Sequence, residues 1–328
     1  MTGGVLVTSV GRRVQLLVAM RAAMQDRGWT GPLVTTDASN LAPGSFFSDH
    51  HASVPPIDSS DYLHNLEDIC RKYSIRLVVP TIDTELPLLA EARSHFSSLG
   101  ITIAISSPSA IAVASDKVAT AQFLNSRGLP TPRTIPCGQA IAQFTALDAP
   151  MLVKPIRGSS SKGVRVICSL SELRAIDDSD STLVQDFIEG DEYTVSSFVD
   201  GSGASLAEIP RLRIEVRAGE VSKGRTTRHP QIEDLVKAVV ESLPGLYGPL
   251  NVQVIDGPAG PQVLELNPRF GGGDPLAWAA GAQIPRWLLE DVEVPGSVAR
   301  YNQWLGDVLM TRYDQAVFAF PNGSHHVG

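Results

Sequence analysis

The sequence predicts a mixed architecture, a doubly wound parallel α/β sheet followed by α+β units with antiparallel sheets. Three observations carry this. Short apolar runs alternate with helical patterns as far as residue 105, whereas from Thr134 onward strands follow one another as neighbours. At 328 residues the chain also exceeds what one hydrophobic core usually organises, so more than one unit is expected.

In order, "GVLVTSV", "GPLVTTD", "RLVVPTID" and "ITIAISS" read as strands, with "RRVQLLVAMRAAMQDRG", "YLHNLEDICRKYS" and "ELPLLAEARSHFSSLG" as the helices of this unit. Strand-helix alternation at such distances implies parallel pairing. "PSAIAVASDKVATAQFLNSRGLPTP" reads as two short helices closing at Gly128 before prolines. "APMLVKPIRGSSSKGVRVICS" is a hairpin with a polar tip, "SLSELRAIDD" a short helix, and "STLVQDFIEGDEYTVSSFVDG" a strand, a bend and a strand. "PQIEDLVKAVVESL" reads as a helix, and "GPLNVQVIDGPAGPQVLELNPRF" as two strands joined through "DGPAGP". The final "PNGSHHVG" is expected to fray. The expected divisions are residues 1–107, 108–184 and 185–328.

A net charge of −8 leaves no basic excess to neutralise a duplex, which argues against nonspecific nucleic-acid binding. Cys70, Cys137 and Cys168 are widely spaced without a Cys-x-x-Cys pair, so neither a disulfide framework nor a structural zinc site is expected, and a reducing cytoplasm fits. "MTGGVLVTSVGRRVQLL" has the wrong order and length for a signal peptide, and no apolar run approaches the ~20 residues that span a bilayer, so no membrane partner is expected. The apolar helix "VQLLVAMRAAM" faces either its own sheet or a partner subunit, the latter making a homodimer.

Several stretches carry chemistry. "SVGRR", with Arg12, ends a strand and opens a helix, a usual place for an anion, but it lacks the spaced glycines of a dinucleotide fingerprint; a turn with solvated arginines reads equally well. "KPIRGSSSKGV" offers a lysine near a strand end and a loop of small residues, either a polyphosphate cradle or a hairpin with solubilising lysines. In "LVQDFIEGDEYT" Phe187 and Ile188 could edge an adenine slot and Glu192 meet ribose, or the stretch is a strand before an acidic turn. In "VLELNPRFGGGD", Glu265 and Asn267 lie two apart and project to one face, while Leu264 and Leu266 alternate into the core. With Gln253 on the preceding strand they form an oxygen-only set suited to Mg²⁺ or Mn²⁺. Gly272 and Gly273 read as a floor where backbone approaches substrate. Asp274, or Asp83 and Glu85 from the opposite wall, could hold a substrate amino group.

Taken in order, "ASDK", "LVKPIRGSSSKGV", "LVQDFIEGDEYT", "EVSKGRTT", "NVQV" and "VLELNPRFGGG" resemble the ATP-grasp superfamily, and most of all its single-unit ligases related to the carbamoyl-phosphate synthase large subunit. "SVGRRVQLL" and "VVPTIDTELPLLA" resemble that group's N-terminal domain, so the resemblance spans nearly the whole chain. It implies a Rossmann-like pre-ATP-grasp domain, then a two-subdomain ATP-grasp fold with antiparallel sheets. It implies an ADP-forming carbon-nitrogen ligase that activates a carboxylate as acyl phosphate and joins it to an amine, on amino-acid or small peptide-like substrates.

Carried over by motif, Lys117 and Lys154 contact ATP phosphates, and Gly158, Ser159, Ser160, Ser161 and Gly163 form the flap above them. Gln185, Asp186, Phe187 and Ile188 lie at the adenine hinge, Glu192 at ribose. Gln253, Glu265 and Asn267 are the metal ligands. Arg269 meets the transferred phosphate. Beside this carry-over, Lys223, Arg225 and Arg228 in "SKGRTTRH" read either as further contacts to phosphate or acceptor or as an exposed basic loop. The D-alanine ligases have an acid where Gln253 stands. Carbamoyl-phosphate chemistry and a non-catalytic ATP-binding regulator are the competing readings.

Overall fold

The computed structural model describes residues 2–147, 149–158, 163–217, 219–322 and 324–328. Strand β1 (Gly4–Val7), helix α1 (Val14–Asp26), β2 (Leu33–Asp37), β3 (His50–Ser53), α2 (Tyr62–Lys72), β4 (Ile75–Val79), α3 (Leu86–Ser98) and β5 (Thr102–Ile103) build a five-stranded sheet in the order β3-β2-β1-β4-β5. Every pairing in it is parallel, as the alternating pattern requires. The polar "HHAS" of β3 lacks an apolar run and pairs at the sheet edge. Helix α1 buries Leu16, Leu17, Met20, Ala23 and Met24 within the chain's own core, so its apolar side is covered internally.

Helices α4 (Pro108–Ala114) and α5 (Lys117–Ser126) form the connector. Asp116 caps α5 by accepting from Val118 N and Ala119 N, both at 3.0 Å, which fixes Lys117 in its first turn. Next come β6 (Thr134–Pro136), α6 (Cys137–Gln143), β7 (Met151–Pro155), β8 (Arg165–Ile167), α7 (Leu170–Arg174) and β9 (Thr182–Asp186), a four-stranded sheet in the order β6-β9-β7-β8. The division expected after residue 184 falls inside β9, whose pairing with β6 and β7 holds it in the small sheet through Asp186.

The remaining elements are β10 (Asp191–Val199), β11 (Ser205–Arg217), β12 (Glu220–Thr226), α8 (Pro230–Ser242), β13 (Gly248–Gly257), β14 (Gly260–Asn267), α9 (Asp274–Ala279), α10 (Ile284–Glu293) and β15 (Leu309–Thr311). Their strands form an antiparallel sheet of six in the order β14-β13-β10-β11-β12-β15. Leu16, Leu17 and Met20 of α1 share a core cluster with Trp287, Leu288 and Leu289 of α10, joining the first sheet to this unit. The expected frayed end is instead a strand: β17 (His325–Val327) pairs with β16 (Val317–Ala319), and His326 stacks on Phe318. Among the described residues no helix is long and apolar enough to cross a membrane.

Candidate active site

One face of the six-stranded sheet carries the polar groups. Antiparallel register sets Gln253 opposite Glu265 and Asn251 opposite Asn267, and sets Thr194 beside Gln253 from β10. Residues opposite one another project to one side, so these form adjoining rows. Strict alternation along β14 fails at one place. The register shifts between Gln253 and Val254, and Leu264 is left without a partner. This β-bulge turns Leu264 to the cavity instead of the core, while Val263 and Leu266 stay buried.

Over this face, between the two antiparallel sheets, lies a cavity of about 490 Å³. Lys117, Lys154, Gly158, Gln185, Asp186, Phe187, Ile188, Glu192, Gln253 and Glu265 all line it, so the expected set converges. Gln185 is buried and donates to Thr134 Oγ1 at 2.8 Å, Asp186 pairs with Arg133 at 3.0 Å, and Phe187 keeps a half-exposed ring at the rim. Lys117 Nζ donates to Gly158 O at 2.8 Å and stands 3.6 Å from Glu265 Oε2. Gly158 and Gly163 have φ of +110° and +73°, a region in which side chains are strained, so glycine is required at both positions. Ser159, Ser160 and Ser161 lie outside the described residues.

Electrostatics here are set by burial. Burial lowers the Lys154 ammonium to about 8, Lys117 pushes it the same way, and Glu265 and Glu192 oppose. Burial likewise pushes the Glu192 carboxyl up, while Arg213, with Nε 3.1 Å away, pulls it back. Glu265 Oε1 accepts from Asn267 Nδ2 at 3.1 Å, leaving the Asn267 carbonyl as an acceptor for a cation. Among the described residues no cluster of three or more His, Cys, Asp or Glu could hold a metal. One carboxylate with amide oxygens fits an ion such as Mg²⁺, which keeps waters and takes phosphate oxygens.

A second cavity, about 190 Å³, shares Arg213, Gly219, Gln253 and Glu265 with the first. Asn267 and Arg269 line it, as do Asp83, Gly272 and Gly273. Burial opposes the charge on Arg269 and Asp83 restores it, its Oδ1 lying 2.7 Å from Arg269 Nε. The glycines make room for side chains: a Cβ on Gly273 would sit 2.1 Å from Arg211 Nη1, and one on Gly272 2.9 Å from Arg13 Nη1. A third cavity, about 200 Å³, lies beyond the second and includes Arg12.

Several expected contacts fall elsewhere. Glu85 is fully buried and accepts from Thr8, Ser9, Tyr62, Thr81 and Ile82, so it ties strand ends together and has no capacity left for a substrate amine. Asp274 is equally committed, to Ser196, Arg211, Asn251 and Gly271 N. Lys223 and Arg225 line none of the three cavities; they alternate to the other side of β12 and pair with Glu215 at 2.8 Å and Asp307 at 3.8 Å. Arg228 stacks 3.5 Å from the Trp304 ring centroid and donates to Asn302 O. Residues missed by the sequence reading are Arg13, Arg211, Arg213 and Arg312. The alternating arginines in "PRLRIEVR" were the available signal for two of them.

Residues 114–273, which carry the lysines between the two antiparallel sheets and the carboxamide-carboxylate rows, match the ATP-grasp domain. Residues 5–104 match the PylC-like N-terminal domain. The chain is 36% identical over 118 residues to a D-alanine–D-alanine ligase of Acidovorax ebreus, covering 34% of this chain and 35% of that protein. It is 26% identical over 165 residues to a 3-methyl-D-ornithine–L-lysine ligase of Methanosarcina mazei, covering 50% of this chain and 41% of that one. It thus aligns with less than half the length of these curated relatives. An L-amino acid ligase from Bacillus licheniformis shares the fold, with a TM-score of 0.69 at 16% identity over 89% of this chain and 74% of that one.

Proposed function

We propose that the protein is an ATP-dependent, ADP-forming ligase that activates a carboxylate as acyl phosphate and joins it to an amine of an amino-acid-like substrate. The observation that carries this is the meeting of Lys117, Lys154, Glu265, Asn267 and Arg269 where the large cavity opens into the arginine-lined one. The named relatives, which join carboxylates to amines, support the same reading.

Leu264, Phe187 and Ile188 offer apolar edges for adenine at the first cavity, and Glu192 a carboxylate for ribose. Lys117 and Lys154 place two cations against the phosphates, and Arg269 a third where charge develops as the terminal phosphoryl group leaves. Mg²⁺ or Mn²⁺ held by Glu265, Asn267 and Gln253 would neutralise phosphate charge and align the group being transferred. No nucleophilic side chain is needed, because the substrate carboxylate attacks phosphorus and the amine then displaces phosphate. Lys223, Arg225 and Arg228 have no contact with these cavities and take no part in this scheme.

ADP release from ATP and Mg²⁺ in the presence of pooled amino acids, scored with the mass of the product, tests the proposal. Silence with every pool, together with no ATP binding by calorimetry, overturns it. A homodimer is testable by sedimentation; it gains no support from α1, whose apolar side is covered by its own chain.

A further inference from the structure

The third cavity differs in character from the first. Its charged lining is Arg12, Arg13, Arg312 and a single acid, Glu220. That acid serves two of the cations, at 3.6 Å from Arg13 and 3.2 Å from Arg312, so the arginines outnumber the carboxylate that faces them. Two further lining groups are donors in waiting. Arg312 Nε and Trp278 Nε1 are shielded from solvent and find no acceptor among the described residues. A buried N–H without a partner is a cost that a ligand oxygen would remove. Every one of these signals asks for an anion with oxygen acceptors.

Position decides which anion. The first and third cavities share no lining residue, and the second joins both, meeting the third at Arg13, Ile82, Glu220, Gly271 and Gly272. Phosphoryl transfer belongs at Glu265, Asn267 and Arg269, which line the second cavity and not the third. An anion beyond Glu220 is therefore at the far end of a substrate from the reacting carboxyl group.

Resting on the ligase reading, we propose that the third cavity binds a spectator carboxylate, one that is neither phosphorylated nor consumed, held by Arg13, Arg312 and the Trp278 indole N–H. Two sources share this chemistry: the free α-carboxylate of an amino acid that supplies the amine, or the second carboxylate of a dicarboxylic acid.

The test presents each amine donor to the full chain as free acid, primary amide and decarboxylated amine, and each acid as its mono- and dicarboxylic form, with ADP and product mass as readouts. Turnover that survives only with the free-acid amine donor assigns the first source; turnover that needs a dicarboxylic acid assigns the second. Arg312→Gln should raise KM for the carboxylate-bearing substrate roughly ten- to a hundredfold, the size of a lost charge-assisted hydrogen bond, while KM for ATP stays put. Trp278→Phe, which keeps the ring that packs edge-on to Phe270, should give a smaller rise in the same KM. Calorimetric titration with the acid and amide pairs reads the cavity without turnover. ATP turnover with equal use of acids and amides, or an unchanged KM in both variants, overturns the spectator site and leaves the ligase standing. Failure to bind ATP at all removes the ligase reading, and binding of amides as well as acids then removes the site too.

Discussion

Arg269 and Asp83 meet across the boundary between the N-terminal domain and the six-stranded sheet, with Arg269 Nε 2.7 Å from Asp83 Oδ1 and Nη2 2.5 Å from Oδ2. A bidentate pair fixes the guanidinium plane as well as its position. The N-terminal domain thereby aims a residue of the proposed phosphoryl-transfer centre. Asp83→Asn keeps the shape and removes the charge. It should lower kcat for ADP release about 10- to 100-fold through misplacement of Arg269, with KM for ATP little changed. A rise in kcat would show instead that Asp83 restrains Arg269.

Glu265 is the one carboxylate of the proposed metal set. Glu265→Gln should reduce kcat about 10²- to 10³-fold and shift Mg²⁺ dependence to higher concentration, since charge stabilisation at the transferred group is lost. Circular dichroism and the unfolding midpoint should match the parent, because Glu265 lies on a cavity wall. An active variant with unchanged Mg²⁺ dependence would remove Glu265 from the metal site.

Lys154 sets a pH limit. Burial holds its ammonium at about 8, against an unfolded value of ~10.4. Triphosphate binding favours the charged form, so ATP affinity of the free protein should be flat below pH 8 and fall above it, by at most about tenfold per pH unit. Lys154→Gln should bind more weakly and lose that fall. Stability of the ligand-free protein moves oppositely. Between about 8 and ~10.4 the unfolded chain binds more protons at this site, so the Lys154 contribution to stability rises with pH there. Calorimetry across pH 7 to 9.5 separates the two.

Gly273 supports a buried ion pair. Arg211 and Asp274 are 3% and 1% exposed and 3.1 Å apart, and burial lowers the arginine only to about 10, so it stays charged at neutral pH. A Cβ at Gly273 would drive into Arg211 Nη1. Gly273→Ala should therefore cost about 3–5 kcal/mol in equilibrium denaturation, the range for breaking a buried pair. Lys223→Ala, on the exposed side of β12, is the matched control and should change neither the midpoint nor ADP release.

The fold was legible because periodicity is local: alternation up to Ile105 and adjacent strands from Thr134 need no knowledge of the tertiary structure. The cavity lining was legible from ordered motifs, and Lys117, Lys154, Gln185 and Glu265 do converge. What failed was the fate of single polar residues. Glu85 and Asp274 look like free acids in sequence, yet their donors are as distant as Thr8, just past β1, and Ser196 of β10. Arg12 and Arg13 are neighbours, and which of them reaches the second cavity depends on where α1 begins. Lys223 and Arg225 carry the right charge on the wrong side of a strand.

The unpaired Leu264 has one more consequence. Alternation would force a two-residue gap between groups sharing a strand face; the bulge instead sets an apolar side chain and a carboxylate on the same cavity from consecutive positions, about 3.3 Å apart along the chain. The proposed seat for the base and the proposed anchor for the cation are thus graduations on one covalent ruler. Any tilt of the small sheet against the large one would leave that spacing unaltered, because the measure is cut into β14 alone.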